Sequence, residues 1–308
     1  MKLSMRKYHN DDDDWSIRQF LRDVSAQNQR RALCWPLYRW DYWRWHVNAH
    51  IWQFNPQAAL FLWHTAAGGL AAVLHPDGPG EAFLEVHPAF RSPELEVELM
   101  TMAETQFAVS RPNGAQRLTI WAYASDLLRR EVLQRRGYRR GDHVEYQRRR
   151  GLELPIPAAP APAGYAIRAL GDEAEHPARS WLSWKVFHPC EPDEAYAGWR
   201  WYRDVQRAPL YRRDLDLVAV APDGELVAFC TLWFDDVTRT VALEPVGVHP
   251  AHQRKGLARA IISEGLRRSR DLGATLCSVD SYSDAAGACY GSLGFTTYDV
   301  SEPWCKKW

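Results

Sequence analysis

The four residues Val86-His87-Pro88-Ala89 return as Val248-His249-Pro250-Ala251, and their surroundings return with them. Each copy closes an apolar strand and precedes a helix. About forty residues later, Tyr123-Ala-Ser-Asp126 with Gly137-Tyr138 is answered by Tyr282-Ser283-Asp284 with Gly294-Phe295. Self-similarity on this scale means one supersecondary plan used twice. A length of 308 residues suits two domains that each bury a core. Between Gly151 and Gly164, Pro155, Pro157, Pro160 and Pro162 alternate with Ala and Ile. That stretch is too rich in proline for helix and reads as a semi-extended linker over 151–163. It divides the chain into a first domain, 1–150, and a second, 164–308.

In the second domain the apolar runs predict strands at 165–170, 215–221, 225–234, 241–248, 274–280 and 295–300. Helical regions are expected at 172–207, 257–272 and 284–293. Asp223-Gly224 between two apolar runs marks a hairpin. Antiparallel strands come first and then alternate with helices. The expected class is therefore α/β of the α+β kind: a mixed, mostly antiparallel sheet with one parallel pair and flanking helices. Strands near 58–65, 69–75, 81–87 and 117–123 extend this to the first domain, where Asp11 to Asp14 should cap and charge the first helix.

Residues 246–258 carry the chemistry. A strand through Val246, Gly247 and Val248 breaks at Pro250 into a basic, glycine-containing turn that opens a helix. First-turn N–H groups lack an intrahelical acceptor and sit at the positive end of the dipole, so Gln253 to Ala258 can surround an anion. Gly256 and Ala258 keep the approach free of side chains, while Arg254 and Lys255 add charge. No Walker A pattern and no G-x-G-x-x-G occurs, which argues against ATP and NAD.

The spacing Gln253-x-x-Gly256-x-Ala258, directly after a strand, resembles the acetyl-coenzyme A signature Q/R-x-x-G-x-G/A of the GNAT acetyltransferase superfamily. Tyr290-x-x-x-Gly294-Phe295 is similar to its second motif. Ser292 to Val300 is similar to the close of the C-terminal domain of the tandem mycothiol synthases. The resemblance implies two tandem GNAT-like domains, each with a splayed parallel strand pair. It implies acetyl-coenzyme A as cosubstrate, held by Val246, Gly247, Val248, Gln253, Arg254, Lys255, Gly256, Leu257, Ala258, Arg259, Ser283 and Tyr290. A primary amine of a small molecule would be the acceptor.

In that scheme Tyr290, near the thioester sulfur, protonates the leaving thiolate, and a backbone N–H at or beside Val248 meets the oxyanion. For the base the chain offers Glu244, on the face of Val246 and Val248 by period two if no bulge intervenes. Asp280 or water are the other choices. Two functions stay open: an acetyl-coenzyme A-dependent N-acetyltransferase with the second domain catalytic, and a non-catalytic acyl-coenzyme A-binding or sensing protein. Tyr290 favours the first.

The first copy lacks these parts. Arg91 is followed by Ser92, Pro93 and Glu94 where the second copy has Lys255, Gly256 and Leu257, and Leu133 stands in place of Tyr290. Proline removes an N–H and Glu94 opposes a phosphate. The first domain is expected to be structural.

His46 and His50 lie one helical turn apart, but the glutamate of H-E-x-x-H is missing, so no metal is expected. Six cysteines without C-x-x-C spacing read as free thiols. With 38 basic and 38 acidic residues there is no nucleic-acid footprint. No apolar run nears membrane length and Met1 to Tyr8 leads into aspartates, so a cytoplasmic chain is expected. Nine of the fifteen tryptophans gather at Trp35, Trp40, Trp43, Trp45 and Trp52 and at Trp181, Trp184, Trp199 and Trp201, where they read as helix packing or as a wall for the acceptor. The sequence sets no oligomeric state.

Overall fold

The computed structural model describes residues 2–31 and 33–308. They form two compact units, Met1–Gln147 with Asp299–Trp308, and Arg148–Tyr298.

The first unit opens with β1 (Ser4–Lys7) and α1 (Asp11–Gln27). Asn10 caps α1 by accepting the Asp12 amide. Two of the aspartates behind it turn to ion pairs, Asp13 with Arg6 and Asp14 with Arg44. There follow α2 (Leu37–Tyr42), a π-helical segment Trp43–Trp52, α3 (Pro56–Ala59), β2 (Phe61–His64), β3 (Leu70–His75) and β4 (Glu81–Val86). Then come α4 (Pro93–Phe107), β5 (Val109–Ser110), β6 (Gln116–Tyr123), α5 (Leu127–Arg135), β7 (Arg139–Arg140) and the start of β8 (Glu145–Gly151). Strands β1 to β4 pair antiparallel in sequence order. β4 then runs parallel to β6, joined only at Glu81–Thr119 and Ala82–Ile120 before the two part.

The second unit holds β9 (Ala166–Ala169), α6 (His176–Phe187), α7 (Tyr202–Val205), β10 (Asp216–Val220), β11 (Leu226–Asp235) and β12 (Thr240–Val248). After these come α8 (Leu257–Asp271), β13 (Leu276–Ser281), α9 (Asp284–Ser292) and the start of β14 (Thr296–Lys307). The hairpin at Asp223-Gly224 forms, with Gly224 at φ +92° and the Asp223 carboxylate accepting the Glu225 amide. α8 buries Leu257, Ile261, Ile262 and Leu266, spaced to face the sheet. Gly265 lets it sit close, since a Cβ there would come within 2.7 Å of Leu232. The repeat shows most plainly in β12, which runs parallel to β13 only at Thr240–Leu276, Val241–Cys277 and Ala242–Ser278 and then parts from it.

Three features differ from the expectations. Of the helical region 172–207 only α6 and α7 are α-helix, because Pro192 and Gly198, at φ +98°, interrupt the stretch between them. The proline-rich stretch belongs to the second unit. Leu152 is buried there with its amide on the Thr275 carbonyl at 3.0 Å, and Arg150 holds the Leu154 and Pro155 carbonyls at 3.2 Å each. Third, β14 continues to Lys307, and from Asp299 it belongs to the first unit, where Ser301 to Lys307 lie antiparallel on β6 from Tyr123 to Arg117. The chain thus crosses between units at 147/148 and again at 298/299.

Candidate active site

The turn before α8 is built by backbone conformation. Arg254 and Gly256 both sit in the left-handed region, at φ +64° and +85°. No side chain caps α8; its N-cap is Gly256 itself. Ala260 is the first residue to donate back into the turn, to the Gly256 carbonyl at 3.0 Å. The amides of Arg254 through Arg259 donate to no backbone carbonyl among the described residues. A Cβ on Gly256 would meet nothing within 4 Å, so the glycine serves the positive φ and the space above it, not packing. These donors at the positive end of a helix form a ready site for an anion.

The turn opens into a cavity of about 420 Å³ at the splay of β12 from β13. Its walls include Val246, Gly247, Val248, Gln253, Arg254, Gly256, Leu257, Ala258, Arg259 and Tyr290, which the sequence had singled out. They also include Val186, His252, Ile262, Ala285, Ala286 and Cys289, none of which it had assigned to the cosubstrate site. The α9 members could have been read: Ala285, Ala286, Cys289 and Tyr290 share one helical face. Val186 had one sequence signal, the similarity of Trp184-Lys185-Val186 to the substrate segment of the mycothiol synthases.

Strand geometry aims the amides of β12. His249 donates to the Val227 carbonyl on β11 at 2.8 Å. Successive amides point to opposite strand edges, so those of Val248 and Val246 face the open splay.

Tyr290 is buried among Leu293, Phe295 and Cys277, yet its ring reaches the cavity wall. Its hydroxyl meets no hydrogen-bond partner among the described residues. Burial pushes this phenol well above the ordinary tyrosine range, and the nearby charge of Glu244 adds to the rise. It is a neutral O–H donor at working pH.

Glu244 does not share a face with Val246 and Val248, because a bulge does intervene. Cys230 pairs with Val246 and Leu232 with Leu243, so Glu244 and Pro245 together stand opposite Thr231. That is the face on which Arg179 of α6 bonds Thr231 at 3.0 Å. Lys255 and Ser283 lie outside the cavity wall. Lys255 donates to the Tyr165 hydroxyl at 3.1 Å, and that hydroxyl also lies 3.0 Å from His252 Nδ1. Ser283 caps α9 by accepting the Ala286 amide.

In the first unit the same places are filled by the protein itself. The turn there is two residues shorter, since Ser92 follows His87 where Gly256 follows His249 with Arg254 and Lys255 between. Arg91 therefore matches Gln253 by position, and the Arg254-Lys255 pair has no counterpart. Ser92 caps α4 by accepting the Leu95 amide at 3.2 Å. Arg91 turns inward to Glu96 and Asp126, 2.7 Å from each. At the parted strand, Val86 donates its amide to Cys34 Sγ at 3.3 Å.

No group of His, Cys, Asp and Glu among the described residues is arranged to hold a metal ion, and no described helix is long and apolar enough to cross a membrane.

A sheet with a parted parallel pair and a helix opening at its mouth, built twice, is the architecture of a tandem acetyltransferase. A sequence profile of the Acetyltransferase (GNAT) family matches residues 177–295. The mycothiol acetyltransferase of Salinispora tropica is 31% identical over 250 residues, covering 77% of this chain and 78% of that protein. Its namesake from Salinispora arenicola is 30% identical over 248 residues, 76% of this chain and 77% of the relative. Among solved structures, a GCN5-related N-acetyltransferase from Sphaerobacter thermophilus shares the fold with a TM-score of 0.66 at 19% identity, covering 99% of this chain and 95% of that one. A tandem GNAT protein from the clavulanic acid biosynthesis pathway does so with a TM-score of 0.67 at 17% identity, covering 99% and 98%. The chain belongs to the GNAT acetyltransferase family.

Proposed function

We propose that the chain is an acetyl-coenzyme A-dependent N-acetyltransferase whose C-terminal unit transfers the acetyl group to a primary amine of a small molecule. The observation that carries this reading is the uncapped start of α8 at Gly256, opening on the cavity that Tyr290 lines. The amides of 254–259, with Arg254 and Arg259, hold the diphosphate of the cosubstrate. The outward amides of Val246 and Val248 meet the negative charge that builds on the acetyl oxygen. The amine enters from the α6 face, where Glu244 takes its proton as nitrogen bonds to the acetyl carbon. As the carbon–sulfur bond breaks, Tyr290 gives its proton to the departing thiolate.

Relatives bear the name mycothiol acetyltransferase, and we read the acceptor as an amine of that chemistry, the unacetylated form of mycothiol. The test is release of coenzyme thiol from acetyl-coenzyme A with that compound beside a panel of simple amines. Turnover with the mycothiol-type amine, well above the panel, is expected. Binding of acetyl-coenzyme A without thiol release for any amine would replace the enzyme by an acyl-coenzyme A sensor.

A further inference from the structure

The cavity draws its walls from β12, the turn, α8 and α9, and among the described residues α6 contributes one side chain, Val186. Gly247 is what lets it reach so far. A Cβ placed on Gly247 would lie 2.7 Å from Val186 Cγ1 and 2.4 Å from Phe229 Cζ, closer than real Cβ contacts come. α6 therefore sits flush on β12, and Val186 lies over the backbone between the two outward amides of Val246 and Val248.

The wall is also stiff. Valine in a helix keeps one χ1 rotamer. Behind Gly247, Phe229 is packed by the Arg179 guanidinium, 4.0 Å from its ring centroid, and by the Phe187 ring. The anion-binding turn marks one end of the cavity; Val246, Val248, Tyr290 and Val186 mark the other. A thioester held by its diphosphate at the first end presents its acyl group at the second.

We infer that Val186 limits the length of the acyl group, making the site selective for acetyl over longer acyl chains. This rests on the acetyl-coenzyme A reading above. The test is calorimetry of coenzyme A, acetyl-, propionyl- and butyryl-coenzyme A with the full chain and with Val186→Ala and Val186→Ile, each checked for an intact thermal transition. In the wild type, propionyl-coenzyme A should bind about ten- to a hundred-fold more weakly than acetyl-coenzyme A, the range one methylene commands in a fitted pocket. Val186→Ala should bring the two within about three-fold, Val186→Ile should widen the gap, and affinity for coenzyme A itself should hold in both. A folded Val186→Ala variant that keeps the wild-type ratio while binding coenzyme A normally overturns the inference alone. A wild-type chain that binds neither coenzyme A nor acetyl-coenzyme A overturns it together with the reading it rests on.

Discussion

The Cys34 thiol accepts the Val86 amide at 3.3 Å, and so closes in the N-terminal unit the strand edge that the C-terminal unit leaves open at Val248. The two units share a plan, and one of them has satisfied its own binding groups. A capped helix start, an inward arginine and a sulfur on the free amide leave an incoming thioester little to gain there.

One acetyl-coenzyme A should therefore bind per chain. Gly256→Glu should abolish that binding through charge and lost space, while Gly256→Ala should weaken it and cost about 1–2 kcal/mol of stability for the left-handed backbone. Calorimetry on the wild type and both variants decides this. Two sites in the wild type, one of them surviving Gly256→Glu, would refute the division between units.

Tyr290→Phe should lower turnover by about ten- to a thousand-fold while coenzyme affinity changes little, because the phenol acts as the thiolate leaves. Separate measurement of kcat and of acetyl-coenzyme A affinity checks it. Wild-type turnover in the variant would reduce Tyr290 to a packing residue beside Phe295.

Burial of Tyr290 also ties stability to alkali. Its folded-state pKa is raised, so its contribution is fully present below the ordinary tyrosine value of about 10 and is lost as pH rises beyond it. Tyr8, Tyr138, Tyr202 and Tyr211 are raised in the same sense, each first by burial. Urea midpoints should thus fall between pH 8 and pH 11, and fall less in Tyr290→Phe. An equal fall in both would show that Tyr290 titrates normally.

Removing Asp299–Trp308 should loosen the N-terminal unit selectively. Trp304, 3% exposed, is part of that unit's core, and Trp304→Ala alone should cost about 3–5 kcal/mol. Limited proteolysis of a chain ending at Tyr298 should cut within 1–147 and spare 148–298. Uniform resistance would mean that β14 adds nothing.

What the sequence made legible was local. The Gln253–Ala258 turn, the Tyr290 helix and the Asp223-Gly224 hairpin each depend on a few consecutive residues, and each stands where its spacing placed it. What escaped depends on partners distant in sequence. The bulge at Glu244 exists only against Thr231 on β11, and Val186 reaches the cavity only because Gly247 has no side chain. The shorter turn of the first copy shows only when both helix caps are known. Pro303 masked the long C-terminal strand, since proline argues against a strand interior; in the fold it stands opposite Trp121.

That strand has a consequence for how the protein comes into being. Domains usually fold in the order they are synthesised, the N-terminal one first. Here β6 waits for a neighbour made after the whole of 148–298. The unit translated second has all its residues before the unit translated first does, so the N-terminal unit completes its sheet only after the C-terminal unit has been made.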